Sequence, residues 1–263
     1  MRGRAVSLGA LVAVMLLTAA EPSVAGRVLA QGADTAQPTG APRRVRQTLS
    51  RAQVMELLAG ASDRRPANLS GKDLSGLDLS GVDFKSADLS DCALVRTRLA
   101  HARLFGATLN GADARGADLT SAVLDVAVMR GIDLRNATLR DASLYATILI
   151  GADLSGADLT RARLIAAANN AKLVRTTLTH ANLGADPANQ PMGLMRTVLT
   201  DADLTGADLR EANLRKADLT RANLTDAQIA GADLAGAVLR SITGRERLIG
   251  LNRARHVDQV IWE

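Results

Sequence analysis

Residues 206–225 read GADLREANLRKADLTRANLT, four five-residue units of one pattern, and the pattern runs with few lapses from Ala67 to Leu239. With the central residue of each five called i, that position holds Leu69, Leu74, Leu79, Phe84 and Leu89, continues in steps of five to Leu164, and resumes from Leu194 to Leu239. Position i−2 is small, usually Ala (Ala87, Ala107, Ala152, Ala207), and i−1 is often Asp or Asn (Asp118, Asp158, Asp208, Asn213). Position i+1 is Ser, Thr or Arg, and i+2 is often Gly. A period of five fits neither ordinary element. On an α-helix successive leucines would rotate by about 140° and leave no apolar stripe. On a straight strand they would alternate between opposite faces. Positions i−2 and i share one interior only if each five is a short extended piece followed by a bend, which Gly or Ser at i+2 favours. The chain therefore winds.

The iterated A(D/N)LxG units resemble the pentapeptide-repeat family over roughly two thirds of the chain. That resemblance implies an all-β solenoid, a right-handed quadrilateral β-helix with one five on each of four faces and about twenty residues per coil. At a strand spacing of about 4.8 Å, some 8 to 9 coils would make a rod about 40 Å long. Inward leucines, each contributing about 1.5–3 kcal/mol on burial, would dominate its stability. Ala is required at i−2 because little room remains beside them, and an aromatic content of only 2% agrees with so narrow a core. Each coil would be stabilised mainly by its neighbours.

Outside the repeats, residues 1–25 read as a signal peptide. Arg2 and Arg4 precede an apolar run from Ala5 to Ala20, and Ser23-Val24-Ala25 forms a small-residue cleavage site, with Ala30 as a second candidate. The expected location is the periplasm or the exterior, with no stable membrane span after cleavage. Residues 26–46, rich in Gly, Ala, Gln, Pro and Arg, read as a disordered leader. Within 47–66, Ser50 and Gln53 have capping-box spacing, Val54, Leu57 and Leu58 fall on one side, and Gly60 is a stop signal. A short helix over Arg51–Ala59 is predicted, covering the open end of the first coil. The repeats occupy 67–242, irregular at 165–193. There the leucines fall one residue out of step at Leu173, Leu178 and Leu183 and recover at Leu194, so a deletion near Ala166–Ala168 is offset by an insertion within 184–191, read as a projecting loop. Residues 243–263, with Leu248, Ile249, Leu251, Val257, Val260, Ile261 and Trp262, are read as a C-terminal cap. A homodimer contact at this end is the alternative.

The whole chain carries a net charge of +5, but residues 67–242 hold 19 basic and 20 acidic groups, and the excess lies in 26–66, with seven Arg against three acids. Some members of the resembled family are thought to imitate DNA with an acidic rod and so bind DNA gyrase in the cytoplasm. A near-neutral, exported rod does not suit that role. Arg residues alternating with Asp, and few aromatics, also argue against nucleic acid as a partner. Stacking by twenties sets Asp78, Arg98 and Asp118 in one column and Asp141, Arg161, His180, Asp201 and Arg221 in another. Asp113, Asp133 and Asp153 stack as like charges, relieved by Arg115 and Arg135 on the same face.

No constellation for catalysis is present in the sequence. His101, His180 and His256 are far apart and make no metal spacing, and Cys92, the single cysteine, falls at i−2 as a small buried residue. The carboxylates sit on an open exterior, not in a cleft. No enzyme, cofactor or metal is expected. The reading is an exported, non-enzymatic protein-interaction or scaffold module, with a structural envelope protein assembling end to end as runner-up. The candidate contact surface is apolar: Phe105, Val126, Val128, Tyr145, Ile148 and Ile165 take outward positions, expected on one face of consecutive coils, with Ile150 around the next corner. Such a patch calls for a protein partner or a cover from the chain itself.

Overall fold

The destinations of the five backbone N–H groups of one repeat explain its composition. In the five 117–121, the Ala117 N–H donates to Ala114 O at 3.1 Å and closes the turn from the preceding five. Asp118 N–H donates to Thr97 O in the coil before (3.0 Å), while Leu119 and Ser121 N–H donate to Thr138 O (2.7 Å) and Arg140 O (2.8 Å) in the coil after. Thr120, at i+1, has no coil to reach, and its N–H donates instead to Asp118 Oδ1 at 3.0 Å. The same side-chain acceptor recurs at Asp73, Asp88, Asp153, Asn213 and Asn223. Asp and Asn are thus frequent at i−1 because their short side chains satisfy an amide that the winding leaves over.

These bonds come from a computed structural model that describes residues 46–62, 64–185 and 195–263. Bridges such as Asn68 to Asp88, Asp88 to Thr108 and Asp78 to Arg98 are parallel and twenty residues apart, so four fives make a coil. The first face carries Leu69, Leu89, Leu109 and Met129; the second Leu74, Leu94, Ala114 and Leu134; the third Leu79, Leu99, Leu119 and Leu139; the fourth Phe84, Leu104, Leu124 and Leu144. Each five bends too soon to bridge more than one residue. Among the described residues the only regular strands are β1 (Thr147–Ile148) and β2 (Ala166–Ala167), which pair in parallel. The bend at i+2 is left-handed, with φ between +61° and +73° at glycines such as Gly131 and Gly231. Non-glycine residues adopt it too, including Arg161, Asp201 and Val126.

The i and i−2 side chains form one buried cluster of Leu and Ala. Thr replaces Ala at Thr97 and Thr176 and hides its hydroxyl by donating to Leu74 O (2.9 Å) and Leu154 O (2.8 Å). Cys92 uses the same device, its Sγ lying 2.8 Å from Leu69 O, and burial pushes its thiol pKa up to about 11. It is an inert filler of an i−2 site.

The interruption is larger than a one-residue exchange. Between Leu164 and Ala168 four residues do the work of five, so Asp158 bridges Thr177 at a separation of 19. The next coil takes 31 residues, as Thr177 to Asp208 and Asn182 to Asn213 show. Eleven extra residues are two fives and one residue over, so half a coil is taken out of the stack. The expected column through Asp141, Arg161, His180, Asp201 and Arg221 is corrected accordingly. Asp141, Arg161 and His180 follow the third face and lead to Glu211, whereas Asp201 and Arg221 follow the first. Ala166–Ala168, expected to pack under strain, are β2 and the buried Ala168 at an i position. Leu194 and most of the predicted loop at 184–191 lie outside the described residues, as do the predicted signal peptide and nearly all of the predicted leader.

At the start of the repeats, α1 (Arg51–Ala59) begins at N-cap Ser50, with the Gln53 side chain returning the bond to the Ser50 N–H at 2.8 Å. Val54 and Leu58 join the core cluster, while Leu57 is 43% exposed. It lies about 80° around the helix from the direction those two share, which corrects the expectation of a three-residue buried side. No helix among the described residues is long and apolar enough to cross a membrane. After Leu239 the bridges lengthen to Gln228–Ile249, Asp233–Arg255 and Val238–Ile261. One more coil forms with six residues per side, its left-handed residues being Gly244, Gly250 and His256. A Cβ at Gly244 would lie within 2.6 Å of the Thr225 backbone, so glycine is required there.

The amide accounting is testable. Asp118→Ala removes the acceptor for Thr120 and should cost about 1 kcal/mol in urea unfolding, whereas Asp118→Asn should be close to neutral.

Candidate interaction surface

Most of the exterior is occupied by ion pairs that follow the coil register. On the second face Arg115 Nη2 lies 2.7 Å from Asp113 and its Nε 3.6 Å from Asp133, and Arg135 lies 2.6 Å from Asp133 and 4.0 Å from Asp153. The stacked aspartates are thereby relieved. Arg98 pairs with Asp78, Arg210 with Asp208 (2.6 Å), Arg161 with Asp141 (2.7 Å) and Arg221 with Asp201 (2.6 Å). The arginine hydrogen bonds hold the carboxyls of Asp113, Asp141, Asp201 and Asp208 below the usual carboxylate range. Among the described residues no group of His, Cys, Asp or Glu is arranged to hold a metal ion. His101 and His180 are exposed on corners, and His256 Nδ1 lies 2.8 Å from Asp233 Oδ1.

The corner between the fourth and first faces departs from this pattern. On the fourth face the i−1 column runs Arg103, Val123, Ser143, Arg163 and the i+1 column Phe105, Asp125, Tyr145, Ile165. The corner itself carries Gly106, Val126 and Ala146, and the first face continues with Val128 and Ile148 at i−1 and Arg130 and Ile150 at i+1. The patch therefore wraps an edge instead of lying on one face as expected.

Phe105 is 53% exposed, and Val126, Val128, Tyr145 and Ile150 are half-buried. Ile148 (8% exposed) and Ile165 (2%) are core residues and do not belong to the contact surface. The shortened corner after Leu164 carries the chain through Ile165 directly into β2, and Ile148 is held in β1 alongside it. Val123, 36% exposed, joins the surface. Its signal in the sequence was Val at i−1, where Asp or Asn usually stands. The Arg163 guanidinium lies over the Tyr145 ring, 4.0 Å from its centroid, a cation–π contact that fixes the ring. Asp125 accepts from the Tyr145 N–H (3.0 Å) and from the Ser143 hydroxyl.

Val126 holds φ +64°, a conformation that a β-branched side chain disfavours. Val126→Gly should therefore raise unfolding free energy by about 1 kcal/mol, net of the greater freedom of Gly in the unfolded chain. A fall in denaturation midpoint would show that the valine side chain stabilises the corner instead. The depressed aspartates set an acid limit. Their contribution is present above the ordinary carboxylate pKa of about 3.9 and is lost as pH falls from there toward the lower folded values. Thermal midpoints should hold from neutrality to about pH 5 and drop below pH 4, less steeply in Asp141→Asn/Asp201→Asn.

A family profile for pentapeptide repeats matches in eight copies over residues 67–99, 97–136, 127–164 and 194–240. No curated protein sequence matches the chain. Among solved structures, HetL, a pentapeptide repeat protein involved in heterocyst differentiation regulation in the cyanobacterium Nostoc, is 29% identical over 74% of this chain and 96% of its own, with a TM-score of 0.30. Full-length QnrB1, a plasmid-mediated fluoroquinolone resistance protein, is 15% identical over 73% and 93%, with a TM-score of 0.43. A pentapeptide repeat protein of the Arabidopsis thaliana thylakoid lumen is 25% identical over 46% and 73%, with a TM-score of 0.17. With the repeat profile covering more than half of its length and the described fives bonded in a twenty-residue register or a shortened or lengthened form of it, the chain belongs to the pentapeptide-repeat family.

Proposed function

We propose that this chain is an exported, non-catalytic protein-interaction module, working in the periplasm or outside the cell. The coil is read as right-handed, closed at its start by α1 and at its end by the six-residue-sided coil 243–263. The carrying observation is the contrast on its surface. Ion-paired ladders cover the second and third faces, whereas Phe105, Val123, Val126, Tyr145 and Ile150 gather on one edge. A rigid coil presents such an edge without ordering cost on binding, which favours recognition by shape. The near-neutral repeats, with 19 basic and 20 acidic groups, again speak against a DNA-like role.

The test is photocrosslinking in the native envelope, with a photoreactive residue replacing Tyr145 and a control at Ser155 on the second face. A specific adduct at Tyr145, lost in Phe105→Asp/Ile150→Asp, is expected; adducts at neither site would remove the reading. A second reading has its own observation. Ile249 (49%) and Ile261 (39%) are exposed on the last coil, where end-to-end assembly would bury them. A molecular mass that does not change with protein concentration would exclude it.

A further inference from the structure

Every five must dispose of its i+1 amide, and the edge between the fourth and first faces is where this provision fails repeatedly. At i−1 the usual Asp or Asn is replaced by Arg103, Val123, Thr108, Val128 and Ile148. Two amides are rescued from the preceding coil, Tyr145 by Asp125 Oδ1 (3.0 Å) and Arg130 by Asn110 Oδ1 (2.8 Å). The N–H groups of Phe105, Asp125 and Ile150 find no acceptor among the described residues. Other fives without Asp or Asn at i−1 show the same gap, among them those of Val95, Ala100, Arg140, Val174, Thr200 and Ala230. On this edge such amides lie beside the exposed Phe105 and Val123.

Charge points the same way. Arg103, Arg130 and Arg163 fringe the patch, and the carboxylate within it, Asp125, is already occupied by Ser143 and Tyr145. Arg103 is 69% exposed and only loosely paired, its Nε 3.6 Å from Asp83. Arg130 is exposed and makes no ion pair among the described residues. Where Asp or Asn stands at i−1, an amide in this position is met by its carboxylate or carboxamide. Here the equivalent acceptor is missing, and cations and apolar side chains surround the donors.

We infer that this edge receives an acidic segment of a partner protein. Its carboxylates take the amides of Phe105, Asp125 and Ile150 and the guanidinium of Arg130, and its apolar side chains rest on Phe105, Val123 and Tyr145. The partner completes the same amide-to-carboxylate bond that the chain makes for itself at Asp118 and Thr120. This inference rests on the interaction reading and specifies its chemistry.

The experiment pans random linear peptides displayed on phage against the full chain and against Arg103→Asn/Val123→Asn. In that variant Asn supplies the acceptor to Phe105 and Asp125 as Asn213 does to Arg215. Because Asn occupies i−1 at several native fives, the variant should fold with undiminished stability, checked by urea unfolding. Enriched peptides should carry Asp or Glu beside aromatic or aliphatic residues. A synthetic copy should bind the native chain with an affinity that falls as salt is raised, and bind the variant about tenfold more weakly or worse. Enrichment without acidic residues, equal binding to both proteins, or displacement by single-stranded DNA would overturn the inference. If the Tyr145 crosslink forms while the peptides are not acidic, the interaction reading stands and only this chemistry falls.

Discussion

A chain that bends every five residues has to find a partner for every backbone amide it turns out of a straight strand, and the rest of this structure depends on that constraint. Three amides of each five reach neighbouring coils, one closes a turn, and one is left for a side chain two residues earlier. An unpaired polar group buried against the coil would cost about 1–3 kcal/mol. With dozens of repeats, no marginally stable fold could bear that at each five. Asp and Asn at i−1 are therefore part of the backbone hydrogen-bond scheme before they are surface charge.

Inward packing and outward charge both inherit the register set by those bonds. Leu at i and Ala or Thr at i−2 fill an interior too narrow for aromatics, with Phe84 its only buried ring among the described residues. Outside, the twenty-residue step brings Arg161 over Asp141 and Arg135 beside Asp133. Exposed pairs of this kind each contribute little alone. Repeated along a column, they follow the twenty-residue register of the coil.

The edge between the fourth and first faces shows the scheme relaxed. Its i−1 positions carry no Asp or Asn from Arg103 to Ile148, one corner is held by a strained valine, and two coils on, the corner loses a residue while the following one gains eleven. Several amides left without a side-chain acceptor lie here beside Phe105 and Tyr145. Local departures from an otherwise consistent pattern are where a binding role is to be sought.

The sequence by itself determined the winding, the inward residues, α1 with its capping box, and the buried place of Cys92. Each of these follows from a period of five or from spacing within one segment. It also marked Phe105, Val126, Val128, Tyr145 and Ile150 as apolar residues in outward positions. Only the tertiary structure decided that Ile148 and Ile165 are core, that Val123 is surface, and that Asp141 and Asp201 lie on different corners. Those facts depend on how many residues each coil consumes around the interruption. A count of leucines reveals the register modulo five but not whether two whole fives have left the stack. The six-residue sides of the last coil were visible in the spacing of Gly244, Gly250 and His256, yet a search for fives passes over them. The open amides of the edge could be recognised only once the hydrogen bonds of the fives had been followed across the coils.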